Sequence, residues 1–181
     1  MMAVEATTVG GAECLAEAAR RGYVSVRSRN GGGAGTVWSA DGLIVTNHHV
    51  VPGERATVEL HDGREFGAVV LSRDPAHDLA LLKVPADGLI PLERRVAPLR
   101  PGELVFAMGN PWGERAVLTG GVVFASTGTV VRADVRLAPG NSGGPLVDAA
   151  GRLAGINSMI AGGIAMAIPT PVIEGFARVS V

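Results

Sequence analysis

Short alternations of apolar and polar residues recur along the chain and are cut by glycine, proline and aspartate. Tyr23-Val24-Ser25-Val26-Arg27 alternates around valine, the period-two pattern of a half-buried strand. Thr36 to Ser39 and Leu43 to Thr46 flank Ala40-Asp41-Gly42, and Asp-Gly between apolar runs predicts a hairpin. Ala56 to Leu60 and Glu65 to Leu71 flank a second such turn at Asp62-Gly63, and Leu79 to Val84 predicts a further strand. The second half repeats the style over Leu104 to Met108, Ala116 to Ser126, Gly128 to Arg132, Pro145 to Val147, Leu153 to Asn157 and Ile164 to Ile168. Between them Pro85, Pro91, Pro98 and Pro101 mark a connector over residues 86–101,. Two helices are predicted at the ends. One covers residues 12–21 and stops at Gly22; the other covers 171–178, with Thr170 as cap and Pro171 in its first turn,. Two runs of about six short strands with no strand–helix–strand alternation predict an all-β fold of two six-stranded antiparallel barrels. The lobes fall at 23–85 and 102–169 of a single domain spanning 1–181.

Composition narrows the function. Apolar residues make up 47% of the 181 and the net charge is −1, so a core is available and there is no basic excess of the kind nucleic-acid binding requires. Nor is there a cationic anchor for an acidic membrane. No apolar run approaches the roughly 20 residues of a membrane span. Cys14 is alone, which excludes an internal disulfide and a several-cysteine zinc site. The first residues, MMAVEATTVGGAE, carry acids and no basic-then-apolar order, so a cytoplasmic location is expected. A periplasmic or secreted one is the alternative if a leader has been removed.

The sharpest local feature is Pro139-Gly140-Asn141-Ser142-Gly143-Gly144-Pro145. Glycines around a serine let the backbone turn tightly and aim successive N–H groups at one point. The string fits the nucleophile-elbow pattern G-x-S-x-G, but that fold needs its histidine after the serine. His48, His49, His61 and His77 all precede Ser142. An aspartate-first order would need Asp41, which already serves the turn at Gly42. The order histidine, aspartate, serine on paired barrels remains. His48 and His49 end an apolar strand, and composition does not choose between them. His61 reads as a turn residue. Asp78 opens the apolar run Asp78 to Val84, where an acid must be hydrogen-bonded or lie in a polar pocket.

Read together, Ser39 to Val51, His77 to Val84, Gly109-Asn110-Pro111-Trp112-Gly113, Pro139 to Val147, Gly155-Ile156-Asn157 and Ala167-Ile168-Pro169 resemble the trypsin-fold serine proteases of the HtrA/Deg type. The resemblance covers about Val24 to Pro169. It implies His49 as base, Asp78 as its partner and Ser142 as nucleophile, with the Gly140 and Ser142 N–H groups as oxyanion hole. Activity should then rise with pH through a histidine pKa of roughly 6 to 7. The resemblance further implies a specificity pocket at Leu137 and Ile160 and strand-like substrate pairing along Ser158 to Ile160. That favours small or medium aliphatic side chains. Arg136 stands where the family has a small residue, and an acidic preference follows if it enters the pocket. Asn141 cannot pair with a new N-terminus as an aspartate would, so no activation by N-terminal cleavage is expected. The implied partners are extended or unfolded polypeptides, with no cofactor and with trimers as the family's frequent assembly. The resemblance is to the protease unit, with no PDZ domain expected after it, and the stretches Ser126 to Leu137 and Ile160 to Met166 read as shorter than the family's regulatory loops. A protease-fold binding or chaperone-like protein is the alternative function.

Overall fold

The computed structural model describes residues 5–29 and 31–180. Helix α1 (Glu5–Arg21) leads into six strands: β1 (Tyr23–Ser28), β2 (Gly31–Val37), β3 (Leu43–Asn47), β4 (Arg55–Leu60), β5 (Glu65–Asp74) and β6 (Leu79–Lys83). After the connector come β7 (Leu104–Gly109), β8 (Val117–Ser126), β9 (Val131–Asp134), β10 (Pro145–Asp148), β11 (Leu153–Ala161), β12 (Ile164–Pro169) and helix α2 (Thr170–Val179). The strands close into two antiparallel barrels, ordered β1-β2-β3-β6-β5-β4 and β10-β11-β12-β9-β8-β7. Closure pairs every edge strand, the usual solution for many short antiparallel strands.

Each barrel has its own apolar filling. Val24, Val26, Ile44, Val58 and Leu82 fill the first, and Val105, Val123, Val131 and Leu146 the second. A third cluster lies where the lobes meet: Tyr23, Trp38, Leu79, Leu81, Met108, Leu153 and Ile156, covered by Ile173 and Phe176 of α2 and Leu15 of α1. Both helices thus cap the seam between the barrels. Val172, partly buried, packs beside Ile173 and Phe176 on the same α2 face.

Three local expectations are corrected. Thr170 is not a cap: it lies inside α2, buried, and its hydroxyl donates to the Leu153 carbonyl at 3.0 Å, while Pro169 takes the capping position. Helix α1 begins at Glu5 rather than Ala12. Strand β2 begins at Gly31, although Gly31-Gly32-Gly33-Ala34-Gly35 has almost no strand propensity,. Tertiary contact explains this. The Ala34 N–H donates to the Ser142 carbonyl at 2.8 Å, so the two lobes meet backbone to backbone. A Cβ on Gly33 would stand 2.9 Å from the Ser142 carbonyl oxygen, and one on Gly143 would overlap the Ala34 carbonyl.

The connector is docked, not loose. Leu89, Leu92 and Leu99 are buried, and Arg95 pairs through its backbone N–H with the Leu153 carbonyl at 2.8 Å. Its guanidinium joins Glu103 at 2.8 Å and Asp148 at 3.2 Å. Asp148 also accepts from the Ala150 and Arg152 N–H groups at 2.9 and 3.0 Å. Its side chain is 4% exposed, so a carboxylate there is tolerated because all these donors converge on it. Replacing Asp148 with Ala removes the acceptor shared by Arg95, Arg152 and the Ala150 and Arg152 N–H groups and should cost about 3 kcal/mol of folding stability. Urea denaturation checks this; a change below about 1 kcal/mol contradicts it.

Candidate active site

The sequence pattern T-N-H-H ends β3 and enters a single 3-10 turn, His48–Val50. That turn aims the His49 ring across the barrel mouth, where Asp78 waits at the start of β6. Asp78 has φ 55°, a left-handed conformation rarely adopted by a residue with a side chain,. Its carbonyl accepts from the His48 N–H at 3.1 Å and from Asn47 Nδ2 at 2.9 Å. Its carboxylate accepts from the His49 backbone N–H at 3.1 Å and lies 2.8 Å from His49 Nδ1. The strained backbone is therefore over-determined, and the contacts that fix it orient the imidazole.

Ser158, on β11 of the other barrel, donates its hydroxyl to Asp78 Oδ2 at 2.9 Å. Its carbonyl accepts from Ser142 Oγ at 2.8 Å. Ser142 and His49 line the same two clefts, one of about 680 Å³ with Asp78, Leu137, Ser158, Met159 and Ile160, the other of about 240 Å³ with Gly31, Gly32 and Gly140. Among the described residues no hydrogen bond joins Ser142 Oγ to the His49 ring, and the Gly140 and Ser142 N–H groups have no partner. Gly140 has φ 106°, and a Cβ there would overlap the Asn110 carbonyl, so glycine is required at this turn.

Electrostatics follow the geometry. The hydrogen bond to Asp78 pushes the His49 pKa above the ordinary 6.5 and outweighs partial burial. Burial by itself would raise the Asp78 carboxyl. The hydrogen bonds from the His49 ring and backbone, with that from Ser158, hold it below the usual carboxylate value,. A histidine–carboxylate pair beside a serine hydroxyl and two free N–H groups can shift a proton and accept negative charge on oxygen. No group of metal-ligating side chains occurs among the described residues.

The structure thus gathers His49, Asp78, Ser142, Leu137, Ser158 and Ile160 at the larger cleft, and Gly140 joins His49 and Ser142 at the smaller one. Arg136 is exposed and absent from the cleft lining; its carbonyl accepts from Thr119 Oγ1 at 2.8 Å. His48 turns away and accepts at Nδ1 from Arg73 at 3.2 Å, and His77 pairs with Asp74 in the turn before Asp78. Sequence reasoning missed Asn47 and the Ser158 hydroxyl as supports of Asp78. The only signal for Asn47 was a polar residue closing an apolar strand. Ser158 was expected only to pair with substrate; nothing marked its hydroxyl as a partner of Asp78, which lies 80 positions away.

Two closed six-stranded barrels with this cleft between them define the chymotrypsin-like class. Residues 33–156 match the trypsin-like peptidase domain family, and the chain belongs to it. It is 39% identical over 156 residues to a probable periplasmic serine endoprotease DegP-like of Marinomonas sp. (strain MWYL1), covering 77% of this chain and 33% of that one. It is 38% identical over 160 residues to serine protease HTRA1 of Xenopus laevis, covering 80% and 35%. The chain therefore spans about a third of the length of these relatives. A crystal structure of the serine endoprotease from Yersinia pestis superposes with TM-score 0.87 at 31% identity, covering 92% of this chain and 65% of that one.

The Ser158 bond to Asp78 yields a prediction. In Ser158→Ala the carboxylate loses one of its donors and rises in pKa, while His49 keeps its own bond. With His49 as the expected base, the acid limb of kcat/KM should persist with a midpoint above about 6.5. A pH–rate profile checks this, and disappearance of the limb in this variant contradicts it.

Proposed function

We propose that this chain is a serine endopeptidase acting on extended or unfolded polypeptide. The observation that carries the reading is the His49–Asp78 pair, held at 2.8 Å in a cleft that Ser142 also lines. A rotation of Ser142 between staggered side-chain wells takes Oγ off the Ser158 carbonyl and toward His49. His49 then removes the hydroxyl proton as Oγ attacks the substrate carbonyl, and the Gly140 and Ser142 N–H groups take up the developing oxyanion. Collapse breaks the C–N bond, and His49 returns the proton to the leaving amine. Water, deprotonated by His49, next attacks the acyl-enzyme ester and restores Ser142. Asp78 stays ionised, holds the Nδ1 proton in place and stabilises the imidazolium. Because His49 must be neutral, its raised pKa moves the rising limb of activity to higher pH.

Substrate binding follows from β11. Its partner β10 pairs only as far as Ile156, so the cleft-facing edge of Ser158 to Ala161 is open for an added strand. Leu137, Met159 and Ile160 line the cleft and Arg136 does not. This supports an aliphatic rather than acidic residue before the scissile bond. The periplasm, printed in the name of the Marinomonas relative, is the compartment we propose by likeness.

One observation favours a second reading, a binding protein of protease fold: the Ser142 hydroxyl is engaged by Ser158, not His49. A fluorophosphonate probe separates the two, with casein turnover beside it. The peptidase reading predicts labelling at Ser142, casein cleavage, and loss of both in Ser142→Ala. A folded, unlabelled wild type that leaves casein intact contradicts it.

A further inference from the structure

The segment Gly109 to Gly113, outside the catalytic trio, touches the anion-binding loop at two points. The Trp112 N–H donates to the Pro139 carbonyl at 3.1 Å, and the Asn110 N–H donates to the Gly140 carbonyl at 3.0 Å. In a trans peptide the carbonyl and the following N–H point in opposite directions. Holding the Pro139 carbonyl toward Trp112 therefore turns the Gly140 N–H the other way, to the side of the cleft lined by His49, Gly140 and Ser142. Asn110 itself is gripped from the first barrel. Its Oδ1 accepts from the Tyr23 hydroxyl, and its Nδ2 donates to Ser25 Oγ at 2.6 Å. Tyr23 and Ser25 are buried on β1, and Asn110 is 9% exposed where β7 ends. The turn is also costly: Trp112 has φ 53° and is 78% exposed, so burial of its own side chain does not hold it there,.

We propose that Asn110 is a positioning residue for the Gly140 N–H, and that Tyr23 and Ser25 clamp it so that the anion pocket takes its working shape only when the two barrels are docked. The inference rests on the peptidase reading and deepens it. The first barrel supplies His49 and Asp78, and through this clamp it also governs a donor belonging to the second. Tyr23 contacts no reacting atom, and its hydroxyl is an internal hydrogen-bonding group that burial pushes up to about 12; it stays protonated and donating throughout the working pH range.

The test compares wild type, Tyr23→Phe and Asn110→Ala with a chromogenic peptide and a fluorophosphonate probe. Tyr23→Phe keeps the ring in the core and removes only the strut, so it reports even if Asn110→Ala does not fold. A misaligned donor weakens the transition state more than the ground state. In Tyr23→Phe kcat and the probe's labelling rate should fall about tenfold, less than the 100-fold or more seen when a donor is lost outright. KM should stay within about twofold, and Ser142 should still label to completion, which a partly unfolded population would not do. Unchanged kcat, or a rise in KM alone, overturns the inference. A wild type that neither labels nor cleaves overturns the peptidase reading, and this inference with it; a wild type that labels and variants that match it overturn this inference alone.

Discussion

Ser158 is the point through which the two halves of the site communicate. Its hydroxyl holds Asp78, a residue of the first barrel, and its carbonyl holds Ser142, a residue of the second. Both bonds come from one residue on β11, so the distance between the Asp78 carboxylate and the Ser142 hydroxyl is set by a single backbone position. Asp78 lies 80 positions from Ser158 and on the other barrel, and only the docking of the two barrels brings it to the Ser142–Ser158 pair. Everything chemical in the cleft depends on that docking being stiff.

Stiffness comes from the seam. Tyr23, Leu79, Leu81, Met108 and Ile156 pack there without solvent exposure above 1%, and filled interiors of this kind resist displacement. Polar contacts then fix the register. The Ala34 N–H meets the Ser142 carbonyl and Thr36 Oγ1 donates to the Gly143 carbonyl at 3.0 Å, while within the first barrel Thr46 Oγ1 holds the Ala34 carbonyl at 2.7 Å. The glycines on both sides of this contact remove the side chains that would hold the backbones apart. The serine loop is therefore positioned by its neighbour barrel as much as by its own.

Much of this was legible along the chain, for physical reasons. Asp-Gly turns and valine alternation marked β1 and the strands around residues 41 and 62, because turn chemistry and a half-buried surface leave local patterns. The serine loop was legible because clustered glycines are costly without a purpose. The choice of His49 over His48 needed the family resemblance; structurally it turns on a three-residue 3-10 turn, His48–Val50, that sends the two rings in different directions. What stayed hidden was long-range. Gly31 to Gly35 carries no local strand signal, and its place in β2 rests on the opposing backbone. Thr170 looks like a cap until its hydroxyl is found on Leu153. Asn47, Ser158 and the clamp at Asn110 act through partners that no local window contains.

The central claim is that one cleft holds a proton acceptor, a nucleophile and two oriented N–H donors in mutual reach. A crystal structure of the covalent adduct with a peptide boronate tests it most directly. The account predicts boron bonded to Ser142 Oγ, the hydroxyl oxygen swung off the Ser158 carbonyl, His49 still paired with Asp78, and one boronate oxygen within hydrogen-bonding distance of both the Gly140 and Ser142 N–H groups. An adduct on another residue, or a boronate oxygen that meets neither N–H while His49 leaves Asp78, would contradict it.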